Sequence, residues 1–525
     1  MRRTYPAFLA ALLAVTAGVA PASEPPRSVI GWLSDVLDQP PEPVGPGPRP
    51  PSDAVAPFEP AAILTSSLDD PVRDGIGVLA PEETGLPRDI WGTLSALRVR
   101  NLIYAQELRG VPATVDLHVT LMLADTKAPV GSGAANGVLL SRIDTLMAAG
   151  RLDDAAALLS ATGHETPDLF RRAFDIALLK GRADPLCARL SDSPGLSPTL
   201  MARVYCLALL GDWSAAALTL NLGREVGEIS VHEEALLSRF LDPELFEGVD
   251  PPPIPEPLTT LDFILREAVA LPRPAGSLPL AFLFPDAADS APLRARLIAR
   301  ERLVREGALS PDVLFAAYRD GTPAASGGVW DRMALTRKLD QALAIGEADD
   351  ISDALQAADR AFAAQKLRPA LARVYARQLD ALPKPALSPA TRQRIGELLL
   401  LANRGAAAAD WFPDTNDRAS RFFAAFARGE ELPLAGDTAL PPLKAAVIAG
   451  LTRRTAPSED ASRIEALLTG TAYGEGLLRT LALLAPGPEI DPGDLTSALY
   501  LLRVAGLEPQ ARQIAAETLL LLPEA

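Results

Sequence analysis

Apolar residues recur along this chain at intervals of three and four, each run closing on a glycine and giving way to an alanine-rich stretch. One copy reads Leu139-Leu140-Ser141-Arg142-Ile143-Asp144-Thr145-Leu146-Met147-Ala148-Ala149-Gly150, then Arg151-Leu152-Asp153-Asp154-Ala155-Ala156-Ala157-Leu158-Leu159. A second runs from Phe174 through Leu178-Leu179-Lys180-Gly181 into Asp184-Pro185-Leu186-Cys187, and a third from Val204 through Leu209-Leu210-Gly211 into Trp213-Ser214-Ala215-Ala216-Ala217-Leu218. The three glycines stand 31 and 30 residues apart, and weaker versions surround Gly346 and Gly506. This spacing predicts amphipathic helices joined in pairs. Glycine ends a helix in the left-handed region without strain, and alanine on the second helix lets the two approach closely. A pair of this kind covers only part of its apolar face, so copies must stack to complete a core.

Helix starts and later apolar rows extend the pattern. Thr166-Pro167, Ser197-Pro198, Ser310-Pro311 and Ser388-Pro389 each pair a capping hydroxyl with a proline suited to the first turn. Leu355-Ala358-Phe362, Leu371-Val374-Tyr375, Leu478-Leu481-Leu484, Leu495-Leu499-Leu502 and Ile514-Thr518-Leu521 keep helical spacing. The apolar close of the chain, Leu519 to Leu522, suits packing against earlier helices or a partner. Between Val115 and Leu123 apolar and polar residues alternate as in a strand, but Leu117, Leu121 and Ala124 also form a helical stripe behind Pro112. With no partner strand nearby, a helix is expected there.

Proline divides the chain. Residues 40–51 hold Pro40-Pro41-Glu42-Pro43 and further prolines to Pro51, a second run spans Pro251 to Pro257, and a weaker break falls at Pro383 and Pro385. Proline removes an amide donor and restricts its neighbour, so no helix continues through these runs. The predicted layout is a leader at 1–22, a Pro-rich linker at 23–60, a helical module at 61–250, a Pro-rich connection with short elements at 251–291, a central helical module at 292–382 and a C-terminal one at 383–525. Val29 to Leu37, ahead of the first run, is either a small docking element or simply the start of the mature chain.

Composition sharpens the compartment. Met1-Arg2-Arg3, a short apolar core and Ala20-Pro21-Ala22 describe a secretory signal, too short to span a membrane comfortably and followed at once by polar residues. The formal net charge of −16 becomes −18 once Arg2 and Arg3 leave with that segment. An acidic surface repels nucleic-acid backbones, and no basic run offsets it, so nucleic-acid binding is not expected. Aromatic residues are 5% of the chain and the apolar mass is largely Ala and Leu, which favours helix over sheet. Cys187 and Cys206 are the two cysteines: a candidate disulfide between neighbouring helices in an oxidising compartment, or two small buried side chains.

Catalytic chemistry is hard to find. His118, His164 and His232 lie far apart in unlike contexts, and His232-Glu233-Glu234 lacks the second histidine of a zinc-protease helix. Gly131-Ser132-Gly133 and Gly327-Gly328 have no phosphate-binding lysine. Paired acids such as Asp69-Asp70, Glu233-Glu234 and Asp349-Asp350 read as a solvated face rather than as opposed carboxylates. No catalytic, metal or cofactor-binding set emerges, and no cofactor is expected. Trp32, Trp213, Trp330 and Trp411 are the candidate interface anchors, each equally able to pack in a core.

The glycine turn followed by an Ala-rich helix over residues 139–222 resembles the tetratricopeptide and related bacterial helical-repeat families, departing from them in consensus residues and in irregular length beyond residue 250. The resemblance implies an all-α fold, an α-α superhelical solenoid of tetratricopeptide-like helix pairs behind a Pro-rich N-terminal linker. More loosely, the chain is similar to periplasmic accessory proteins of the alphaproteobacterial flagellar motor, which implies support for placing the motor's stator units. The expected function is a non-catalytic periplasmic scaffold that binds another envelope or inner-membrane protein. The alternative is a peptidoglycan-acting enzyme or its activator. The superhelix resembles that of lytic transglycosylases, but the Glu-Ser dipeptide of their catalytic domain occurs nowhere in this chain.

Overall fold

Left-handed turn residues sit where the glycine spacing predicts them. In the computed structural model, which describes residues 72–274, 278–413, 418–430 and 441–521, Gly150, Gly181 and Gly211 have φ of 71°, 64° and 87°. At each, the next residue's N–H reaches back five positions to close the helix end: Arg151 to Leu146 O, Arg182 to Ala177 O and Asp212 to Leu207 O, at 2.8–2.9 Å. The helices so joined are Gly137–Ala148 with Leu152–Thr162, Pro167–Leu179 with Asp184–Asp192, and Leu200–Leu209 with Trp213–Glu225. Gly346 and Gly506 turn Val329–Ile345 into Ala348–Ala363 and Pro492–Val504 into Glu508–Leu520. The chain is an all-α protein of repeated, stacked helix pairs. Among the described residues the only bridges are isolated ones, Leu79 with Ala124 and Ser95 with Val130.

Three of the four predicted hydroxyl caps form as expected: Thr166 accepts from Leu169 N, Ser310 from Asp312 N and Ser388 from Thr391 N. At the fourth the cap slides two residues. Thr199 accepts from Ala202 N at 3.1 Å, and the Ser197 hydroxyl donates to Thr199 O instead.

The alternating segment is helix Pro112–Leu123, and its burial explains the ambiguity. Val115, Leu117, Val119, Leu121, Met122 and Leu123 are all buried, and the narrow stripe Ala113, Asp116 and Thr120 is half-exposed. A helix apolar around most of its circumference shows only a narrow polar stripe, so its period is weak in the sequence. One neighbour is the C-terminal helix Glu508–Leu520, whose Glu517 accepts from Ala113 N at 2.7 Å. Ile514, Ala515 and Ala516 are fully covered; of the apolar close Leu519 to Leu522, Leu519 is buried, Leu520 and Leu521 are half-buried, and Leu522 lies outside the described residues. A second seam joins the two ends, where Gly474 N donates to Ile90 O at 2.7 Å and Arg98 pairs with Glu475 at 2.8 Å. A Cβ on Gly474 would lie 2.6 Å from the Trp91 ring, so only glycine permits this approach. Pairs at the end of the array pack on those at its start, and the described residues fall within one compact unit.

The proline run at 251–257 is tied to the helices beside it. Buried Arg239 donates to the carbonyls of Val249 and Asp250, and Arg266 to that of Pro252. Helix Thr260–Ala268 then returns to pack on Pro167–Leu179. Residues 1–71, which include the expected leader and linker and Trp32, lie outside the described residues.

Cys187 and Cys206 are bridged, joining Asp184–Asp192 to Leu200–Leu209 across a Cα–Cα distance of 4.9 Å. Both sulfurs are buried among Phe170, Phe174, Val204 and Leu236. Closing a loop of 19 residues stabilises the fold by about 3 kcal/mol on the chain-entropy estimate. Reduction with dithiothreitol is therefore expected to lower the urea midpoint by the equivalent amount, and an unchanged midpoint in the reduced, free-thiol protein would contradict it.

Candidate interaction surface

The three histidines are not brought together. His118 is wholly buried with Nε2 3.4 Å from Gln106 Oε1, and burial depresses its pKa to about 4, leaving it neutral at ordinary pH. His164 contacts Arg189 at 3.0 Å; desolvation, then the Arg189 charge, hold its pKa below the usual histidine value. His232 lies 3.4 Å from Asp262. Among the described residues no three His, Cys, Asp or Glu side chains are gathered in a metal-binding arrangement. Two buried carboxylates are bound into structural pairs: Glu301 with Arg332 and Tyr318, and Asp359 with Arg368 and Arg394.

The conspicuous feature is apolar. Large hydrophobic side chains left open to solvent concentrate between residues 209 and 254, and their centre is helix Trp213–Glu225. Gly211 turns the chain into that helix, and the Asp212 carboxylate caps it by accepting from Ala215 N at 3.0 Å. Its inner face, Ala216, Leu220 and Gly223, is buried on Leu200–Leu209; a Cβ on Gly223 would meet Ile229 at 2.7 Å. On the outer face Leu218, Leu222 and Val226 follow at four-residue intervals and are 61%, 57% and 69% exposed. Trp213, 51% exposed, opens the helix on a different side from this row, with its ring 6.3 Å from that of Phe240, and Leu210, 44% exposed, closes the preceding helix. Asp212, Glu225 and Glu228 are exposed at the margin of this surface, with Arg224 paired to Glu225 and Glu234.

Of the predicted anchors in the described residues, Trp213 is the one that presents its ring to solvent. Trp411 is a core residue. It is fully buried, and its indole N–H donates to Asp380 at 3.1 Å, so the polar end of the ring is satisfied inside the protein. Trp330 is 8% exposed and forms part of the wall of a cleft beside Leu293–Arg305. Leu218, Leu222 and Val226 were not singled out from sequence, although the signal was present: the helix is apolar on two faces, and only one of them can pack on its partner.

No helix among the described residues is long and apolar enough to cross a membrane. The search for relatives adds no family to this picture, because no protein-family model, no curated protein and no solved structure matches the chain.

Proposed function

We propose that this protein is a non-catalytic periplasmic scaffold that holds another envelope protein on the outer face of helix Trp213–Glu225. The observation that carries this reading is the row Leu218, Leu222 and Val226, solvent-exposed on a helix whose other face already packs. An apolar row left exposed on a helix whose opposite face is already packed marks a protein-interaction surface. The acidic margin favours a partner whose own apolar strip is flanked by Lys or Arg. The signal-like start and the disulfide support an oxidising, exported setting. In its most specific form the partner is an inner-membrane stator component of the flagellar motor.

The test uses the purified periplasmic domain of such a stator protein and the Leu218→Asp/Leu222→Asp double variant. Both side chains are more than half exposed, so the variant should melt as the parent does. Binding should weaken at least about tenfold, and swimming in soft agar should fail with it. Unchanged binding and motility would remove this face from the function. Release of muropeptides from isolated cell-wall sacculi by the pure protein would favour the peptidoglycan-acting alternative.

A further inference from the structure

Helix Leu293–Arg305 carries an unusual charge, and a cleft of about 600 Å³ opens between it and the start of helix Val329–Ile345. Arg294, Arg302, Arg305 and Arg332 all line this cleft. Its one lining carboxylate, Glu301, is already committed: both oxygens accept from Arg332, at 2.8 and 2.6 Å, and Oε1 also accepts the Tyr318 hydroxyl. The other arginines of the helix find acids elsewhere, Arg296 with Asp289 and Asp320, and Arg300 with Asp289. Arg294 and Arg302 have no hydrogen bond or ion pair to any described residue, and both are exposed. Arg305 uses Nε on the Gln365 carbonyl, at 2.7 Å, which leaves its two terminal nitrogens without a described acceptor. Three guanidinium groups thus face one cleft uncompensated in a chain whose net charge is −16.

We infer that this cleft binds a multiply charged phosphate group. Guanidinium forks pair with oxyanions through parallel N–H donors, and a phosphate dianion offers enough oxygens to engage more than one fork, where a single carboxylate cannot serve three. The opposite wall suits the same ligand. Ser326 supplies a hydroxyl, and Val329 opens a 17-residue helix whose first N–H groups have no intrahelical acceptor, that of Trp330 reaching Gly327 O at 3.3 Å. Space beside Gly327 and Gly328 is open, with no atom within 4 Å of where a Cβ would be. Asp331, the acid nearest in sequence, accepts from Gly327 N at 2.8 Å. Ile298, 47% exposed, and the Trp330 ring offer apolar surface to whatever carries the phosphate. Two sources share this chemistry: a free phosphate ester, and the headgroup of an anionic phospholipid. The cleft is built from helices other than those of the apolar face, so it can function whether or not that face does.

Titration calorimetry of the full chain with inorganic pyrophosphate at low ionic strength tests the site, alongside co-sedimentation with phosphatidylglycerol-containing vesicles. Pyrophosphate is expected to bind saturably, and the Arg294→Ala/Arg302→Ala variant to bind at least about tenfold more weakly. Arg463→Ala, at an exposed arginine paired with Glu459 and Asp460, should bind as the parent does. Arginine-dependent vesicle binding identifies the lipid source, and pyrophosphate binding without it the free ester. Absence of both, equal weakening by the control variant, or hexaglutamate binding the cleft more tightly than pyrophosphate would each overturn the proposal, the last in favour of an acidic peptide.

Discussion

Replacing Arg142 with alanine is expected to destabilise the protein by about 3–5 kcal/mol, among the largest losses any single side chain here can produce. Arg142 is 2% exposed, and its guanidinium is surrounded by carbonyls rather than by a carboxylate. Nε donates to Met122 O at 2.7 Å, Nη2 to Ala124 O at 3.0 Å, and Nη1 to Ile76 O at 2.8 Å and Asp74 O at 3.3 Å. The Asp74 carboxylate, which could have answered the charge directly, instead caps helix Gly137–Ala148 by accepting from Val138 N and Leu139 N. Burial lowers the Arg142 pKa to about 10, with Asp74 and Asp125 pulling the other way, so the group stays charged at neutral pH.

This one side chain therefore ties three pieces together: its own helix, the end of Pro112–Leu123, and the extended segment around residues 74–79. Without it, acceptors in the interior lose their donors, each at a cost of about 1–3 kcal/mol before relaxation. The backbone contacts from Val78 and Leu79 to Leu123 O, those of Asp125 N and Thr126 N to Leu79 O and Gly75 O, and the Asp74 cap would then hold the segment. Lysine should recover only part of the loss, since one ammonium cannot reproduce a fork aimed at separate carbonyls. Urea unfolding of the parent, Arg142→Ala and Arg142→Lys checks the order. Equal midpoints for the parent and the alanine variant would show that the carbonyls find other donors.

Arg142 was legible in the sequence only as a polar position inside an apolar run, and that limit recurs. Local devices could be read. The glycines at 150, 181, 211 and 506 end helices as their spacing suggests, because a left-handed residue at that point is nearly free for glycine. The same turn built without glycine could not be read. Ala270, Lys366 and Asn403 take φ of 53°, 57° and 58°, and in each case the next residue's N–H closes on a carbonyl five positions back. There the hydrogen-bonded frame outweighs a strain of about 1–2 kcal/mol that the residue type argues against.

Contacts between the ends of the chain were equally hidden. Ala113 and Glu517 are 404 positions apart and Arg98 and Glu475 are 377, and no local period encodes such a meeting. The candidate surface lies between these cases. Trp213 was visible as a large ring beside a glycine turn, whereas Trp411, which follows helix Gly405–Ala409, is internal, with Asp380 accepting its N–H. Which tryptophan faces solvent depends on what packs above it, and that is decided by helices far away in sequence. The exposed row on Trp213–Glu225 follows the same rule: the leucines predict burial, and only the stacking order shows that no described element covers them.

The contact that joins the chain's two ends also makes its stability depend on pH. Glu517 is fully buried, and desolvation raises its carboxyl pKa to about 7, against the lesser pull of hydrogen bonds from Ala113 N and Gln513. In the unfolded chain this group titrates near 4.5. Between those values the folded protein holds a proton that the unfolded chain has released, so folding is favoured by acid in that window. The contribution is complete below about pH 4.5, declines as pH rises, and is gone above about pH 7, a span worth up to about 3.4 kcal/mol. Other carboxylates are stabilised in the opposite sense, Glu475 among them, where hydrogen bonds from Arg98 and Arg479 outweigh desolvation and lower its pKa. The parent's full pH curve mixes these trends, and its difference from Glu517→Gln isolates one of them. Glutamine keeps an oxygen for Ala113 N and cannot ionise. The variant should match the parent near pH 4.5 and exceed it by up to about 3 kcal/mol at pH 8. Hydrogen exchange at the Ala113 amide should slow correspondingly at the higher pH. If the two proteins stay parallel from pH 4.5 to 8, Glu517 is ionised throughout, and the helix that seals the array bears its charge without loss.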